Sequence, residues 1–231
     1  MLDVHPPHHS VQGWRDFFIH LATITIGLLI ALGLEASVEW MHHCREVCET
    51  RAALRHELQE NRAHFAANTA HFRGESAILQ KNLLVLRFLQ HHPGTPPSQL
   101  PGTIQWNISY TRMEDSAWKT ASQTGITALM PQEEVRKTAE LYGFYERMDR
   151  SHEEEADALV DAISYGFEDS DPTHLPPAQV SDELERTKRV FSKHLRLGYL
   201  MQNLAEEFPD FQPAPQGEEL DQLVHLSEPK N

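Results

Sequence analysis

The chain has 231 residues and a formal charge of −14, from 34 acidic and 20 basic side chains. The sum and the pattern both argue against nucleic acid as a partner, because phosphate binding needs Lys and Arg clustered on one face and here they alternate with acids. Two cysteines, Cys44 and Cys48, cannot build a disulfide framework; set i, i+4 on one predicted helix, they read as small half-buried helix residues, with inter-chain bonding or metal as alternatives.

Residues 1–13, MLDVHPPHHSVQG, hold Pro6, Pro7 and Gly13 and no periodic apolar face, which predicts a short disordered tail. Its His5, His8 and His9 have no fixed geometry for holding a metal.

Residues 14–40 read as a transmembrane helix. Phe17 to Leu34 contain no formal charge, and as a helix that run rises about 27 Å, nearly a bilayer's hydrocarbon thickness. Trp14 and Trp40 bracket it as interfacial anchors, and Arg15, Asp16 and Glu35 mark its ends. Thr23 and Thr25 can bond back to their own helix carbonyls, and His20 lies about one turn inside the interface. A buried core helix and a cleaved signal peptide are the competing readings; the second lacks a basic n-region and has Leu34 where a small residue is wanted. Thr23, Gly27 and Ala31 form a small-xxx-small stripe through which two such helices can pack.

No Gly or Pro lies between Gly33 and Gly74, so the span is expected to continue into a stalk helix within a helical bundle domain over 41–208. Leu58, Phe65, Phe72, Leu79 and Leu86 recur every seventh residue as an apolar seam. Beside it run Asn61, Asn68 and Asn82, with Glu75 among them, polar residues expected to set register. His64 and His71 flank the seam without further ligands and read as half-buried. Prolines at 93, 96, 97 and 101 end the helix.

TIQWNISYTRM, 103–113, alternates like a strand but has no partner strand, so it is expected to lie extended across the helices. Asp115 or Ser116 can cap a short helix carrying Trp118, which Gly125 can close. Pro131, followed by Glu133 and Glu134, opens a long helix to about Phe167 with Tyr142, Tyr145, Met148, His152 and Leu159 on its apolar face. His152 near Asp149 reads as a histidine hydrogen-bonded across helices, and Glu153, Glu154 and Glu155 as a solvated face. DSDPTHLPPA, 169–178, lacks the glycine and glutamate of a calcium loop. A last long helix runs from about Gln179 to Phe208, with Leu184, Thr187, Phe191, Gly198, Met201 and Ala205 inside. Residues 209–231 form a Pro-rich acidic tail containing one short amphipathic piece.

The fold is therefore expected to be all-α: an N-terminal transmembrane helix continuing into a stalk, packed with two further long helices as an antiparallel bundle. Residues 14–43, WRDFFIHLATITIGLLIALGLEASVEWMHH, and more loosely 116–142, SAWKTASQTGITALMPQEEVRKTAELY, resemble a family of uncharacterised membrane proteins of soil proteobacteria and acidobacteria. The resemblance implies a single-pass anchor with a helical domain and supplies no activity. Cys44 and Cys48 depart from the basic, polar juxtamembrane run that it leads one to expect.

There is no GxxxxGK[ST], GxGxxG, GxSxG or HExxH; His56-Glu57-Leu58-Gln59-Glu60 lacks the second histidine of a zinc protease. The expectation is no enzyme and no cofactor, but an inner-membrane interaction module that meets the bilayer and forms homo-oligomers through its span and stalk. Arg45, Arg51 and Arg55 lean the C-terminal part toward the cytoplasm. A small-ligand sensor bundle and a His/carboxylate metal protein are the alternatives, the latter lacking repeated Glu-x-x-His spacings.

Overall fold

The structure, a computed structural model, describes residues 13–166 and 172–227. Among these residues five α-helices follow one another: α1 (Trp14–His91), α2 (Ser116–Thr124), α3 (Gln132–Gly166), α4 (Pro177–Glu207) and α5 (Gly217–Ser227). No strand occurs among the described residues, and the fold is all-α. The tail expected over 1–13 lies outside the described residues apart from Gly13, as do 169–171 of the proline loop and the last four residues.

The chain divides into two compact units, Met1–Arg51 and Ala52–Asn231. In the first, α1 is long and apolar enough to cross a membrane, with a window of mean hydropathy 2.3 of which 0% is buried. Thr23 and Thr25 donate to the carbonyls of Ile19 and Leu21 at 2.8 Å each, so neither hydroxyl is left unsatisfied along the apolar stretch. Cys44 and Cys48 are free thiols and exposed, not half-buried as the sequence suggested.

In the second unit, α3 starts directly after Pro131 with Glu133 and Glu134 in its first turn, where the helix dipole favours acids. α3 and α4 run antiparallel: Glu154 pairs with Lys193 and Arg196 at 2.6 and 2.9 Å, and Asp161 with Arg189 at 3.4 Å. α1 also runs antiparallel to α4, since Gln90 reaches Ser181 while Phe72 stacks on His194 at 4.2 Å between ring centres. Phe65, Phe72, Leu79 and Leu86 are buried and Leu58 is partly so. The heptad seam thus faces this chain's own core, with Phe65 edge-on to Phe211 at 5.5 Å.

Gly198 is fixed by that packing. A Cβ there would stand 2.5 Å from Phe72 Cζ and 2.7 Å from Leu220 Cδ2, so the ring of Phe72 is seated against bare backbone. Residues read from sequence as a tail beyond 208 contribute Phe211, Ala214, Leu220 and Leu223 to the core, and Arg73 ties them down through Glu219 at 3.1 Å and the Ala214 carbonyl at 3.2 Å.

Candidate functional site

After the 3-10 turn Pro97–Gln99, residues 103–115 form no helix, and the polar stripe of α1 holds them. Asn82 Oδ1 accepts the Gln105 N–H at 3.0 Å while its Nδ2 donates to the Gln105 carbonyl at 2.6 Å. Asn68 does the same to Thr111 at 2.8 Å in both directions, and Asn61 to Glu114 at 2.7 and 2.8 Å. A carboxamide carries a donor and an acceptor side by side, so each Asn acts as the edge of a neighbouring strand. The spacing works over the whole ladder: 21 helical residues from Asn61 to Asn82 rise about 31 Å and the nine residues from Gln105 to Glu114 span about 30 Å when extended, in steps of four, two and three residues. Four rungs, at 82, 75, 68 and 61, therefore match a segment running from 105 to 114. The register these asparagines set is not that of a partner helix, as the seam suggested, but that of an extended segment of their own chain.

Glu75 occupies the remaining rung. It lacks the paired donor of a carboxamide, and its Oε1 takes the N–H of Ser109 without returning a bond to a carbonyl. One turn before the ladder, Glu57 plays a related part. Its Oε2 accepts the Ala117 N–H at 2.7 Å and the Ser116 hydroxyl at 2.9 Å, while Oε1 accepts the Tyr142 hydroxyl. The expected cap, Asp115, sits at the N-cap position but makes no side-chain cap bond; it pairs with Lys119 at 2.6 Å. Gly125 closes the helix at φ 78°, as its sequence position implied.

Behind the ladder lies a buried polar centre built from three helices. Glu75 of α1, Glu155 of α3 and His194 of α4 each present one potential ligand atom, and these atoms lie within 4.8 Å of one another. His194 Nδ1 is 2.7 Å from Glu155 Oε1; its Nε2 is 2.8 Å from Ser76 Oγ and 3.2 Å from the Phe72 carbonyl. Ser76 Oγ in turn donates to the Phe72 carbonyl at 2.8 Å, which makes Nε2–H the donor toward Ser76. Glu155 is 2% exposed and its Oε2 has no hydrogen-bond partner. Burial, with the Glu155 carboxyl nearby, pushes Glu75 up to about 8 against the pull of the Ser109 N–H.

Sequence reasoning places Glu155 on a solvated face and does not single out His194. Both stand at heptad positions that could have revealed them: Met148, Glu155 and Ala162 are spaced by seven on α3, as are Thr187, His194 and Met201 on α4, so each polar residue shares a face with buried neighbours. Further toward the start of α4, Glu183 and Thr187 are fully buried, and neither carboxylate oxygen nor the hydroxyl has a partner. Burial raises Glu183 to about 7.

His152 does not bond across helices as expected; it stacks on Tyr110 at 4.5 Å. Asp149 accepts the Tyr110 hydroxyl at 2.8 Å and pairs with Arg112 at 2.9 Å. Burial raises Asp149 and lowers His152 from their ordinary values. A cleft of about 600 Å³ opens beside them, lined among others by Arg112, Trp118, Tyr142, Asp149 and Arg150.

Of the residues the sequence singled out, Trp14, Thr23, Gly27, Ala31 and Trp40 are all exposed on α1, and a Cβ on Gly27 would meet nothing within 4 Å. His64 is half-buried and His71 exposed. No known protein family, curated protein or solved structure matches this chain.

Proposed function

We propose that this chain is a single-pass inner-membrane protein whose helical unit, Ala52 onward, is a non-catalytic interaction module on the cytoplasmic side. The observation that carries the reading is the unburied apolar stretch of α1: Phe17, Ile24, Leu29 and Leu34 are each more than half exposed, a hydrocarbon surface that water does not tolerate at this extent. Thr23, Gly27 and Ala31 offer the close-packing stripe for pairing two anchors. With the Phe65 to Leu86 seam packed inside the chain, the homo-oligomer rests on the span alone. Arg45, Arg51 and Arg55 after the span support the cytoplasmic side.

The test is the full chain with a C-terminal fluorescent protein or alkaline phosphatase, expressed in a bacterium and fractionated. Membrane recovery resistant to carbonate, with fluorescence and no phosphatase activity, supports the reading. Active phosphatase reverses the orientation, and recovery as a soluble protein overturns the anchor.

A further inference from the structure

We propose that Glu75, Glu155 and His194 bind a divalent first-row transition metal ion in the centre of the helical unit. The three ligand atoms come from three helices and lie within 4.8 Å of one another, so small side-chain shifts bring them to the roughly 3.4 Å spacing of tetrahedral ligands around one ion. A helix bundle whose facing helices each send one carboxylate or imidazole inward is the usual way a metal is held in such a core.

Three further observations point to an ion. The first is charge: two carboxyl groups are buried here, and among the described residues neither pairs with Lys or Arg, Glu155 meeting only His194. A cation between them lets both ionise without the cost of burying unpaired negative charge. The second is the orphaned Glu155 Oε2, a strong acceptor with no donor. The third is the shell behind the ligands. Nε2 of His194 is held by Ser76 Oγ and the Phe72 carbonyl, which fixes the ring with Nδ1 toward the carboxylates, and the Ser109 N–H fixes Glu75. Metal-binding histidines and carboxylates are held from behind in this way. The ion replaces the hydrogen bond between Nδ1 and Glu155 Oε1, and any proton held there or on Glu75 leaves to water. One imidazole and two carboxylates suit Zn²⁺ or Mn²⁺ better than Ca²⁺, which prefers oxygen alone.

The full chain in detergent is stripped with chelator, incubated with Zn²⁺ or Mn²⁺, and passed through a desalting column for metal analysis. Because the sequence has fifteen histidines, the informative quantity is a difference. Wild type retains about one equivalent more than Glu155→Gln, and its thermal midpoint rises with metal while that of the variant does not. The carboxamide introduced by Glu155→Gln can donate its NH2 to the Nδ1 lone pair of His194, so the fold has reason to persist; circular dichroism checks this. Equal metal in both proteins, with no rise in the wild-type midpoint, overturns the site. Should the variant not fold, X-ray absorption on the metal-loaded wild type decides: one imidazole among oxygen ligands supports the site, and two or more imidazoles overturn it.

Discussion

Asn68 and Thr111 are joined through both polar atoms of one carboxamide, each bond 2.8 Å long, across 43 residues of sequence. Removing that side chain strands a donor and an acceptor of a segment that has no strand beside it. Asn68→Ala is expected to destabilise the protein by about 1–3 kcal/mol in urea unfolding. Asn68→Asp, which keeps an acceptor but sets a carboxylate against the Thr111 carbonyl, should do no better. Faster hydrogen exchange at the Thr111 amide in both variants would localise the effect; an Asp variant as stable as wild type would show that only the N–H matters.

Glu57 caps a helix that it does not belong to. Replacing it with Ala should cost about 1–2 kcal/mol, because the Ala117 N–H and the Tyr142 hydroxyl lose their acceptor together. Trp118 stacks on Tyr142 at 5.6 Å, so fraying of α2 should also change Trp fluorescence. Unchanged exchange at the Ala117 amide would rule out the cap.

Two of the helical glycines, Gly143 and Gly198, make opposite forecasts. At Gly198 a methyl group meets Phe72 and Leu220 well inside contact distance, so Gly198→Ala is expected to lose about 1–2 kcal/mol after its gain in helix propensity. At Gly143 the nearest atom to a new Cβ is Arg147 Nη1 at 3.5 Å, and Ala there should gain up to about 1 kcal/mol. Paired thermal melts check both signs.

Glu183 gives a pH dependence with a definite sign. Burial lifts its folded value to about 7 from 4.5, with Asp161 adding to the rise and Arg186 opposing it. The folded state therefore holds a proton that the unfolded state has released. Its contribution is full below about pH 4.5 and is lost as the pH rises to about 7. Glu183→Gln should flatten that part of the stability profile and gain about 1–3 kcal/mol at pH 8. A variant with the wild-type slope between about pH 5 and 7.5 would assign the effect elsewhere.

Much of this architecture is written in local signals. Pro131 with its acidic turn and Gly125 in its left-handed conformation set helix boundaries that tertiary contacts had no reason to move, and the sevenfold recurrence from Phe65 to Leu86 identified the buried face of α1. Polar residues inside that face were harder. Asn61, Asn68 and Asn82 stood out as a stripe, but their partner is an extended chain, and nothing in a helix's own periodicity states what it faces. Glu155 was hidden by its neighbours: three consecutive glutamates suggest one wet surface, yet a helix turns about 100° per residue, so Glu153 is exposed while Glu155 points inward. The core beyond residue 208 was obscured because prolines in 209–215 suppress any periodic pattern around Phe211 and Ala214.

Glu75 belongs to two constructions at once. Its Oε1 grips the main chain at Ser109, and the same carboxyl group stands beside Glu155 and His194. Mutational dissection inherits that overlap: Glu75→Ala would cut a rung and alter the centre in one stroke, and its phenotype could not be credited to either. Glu75→Gln separates them, since an amide oxygen can still accept from Ser109 while the group can no longer ionise to meet a cation. The genetic alphabet thus contains one substitution that speaks to the centre and leaves the ladder silent.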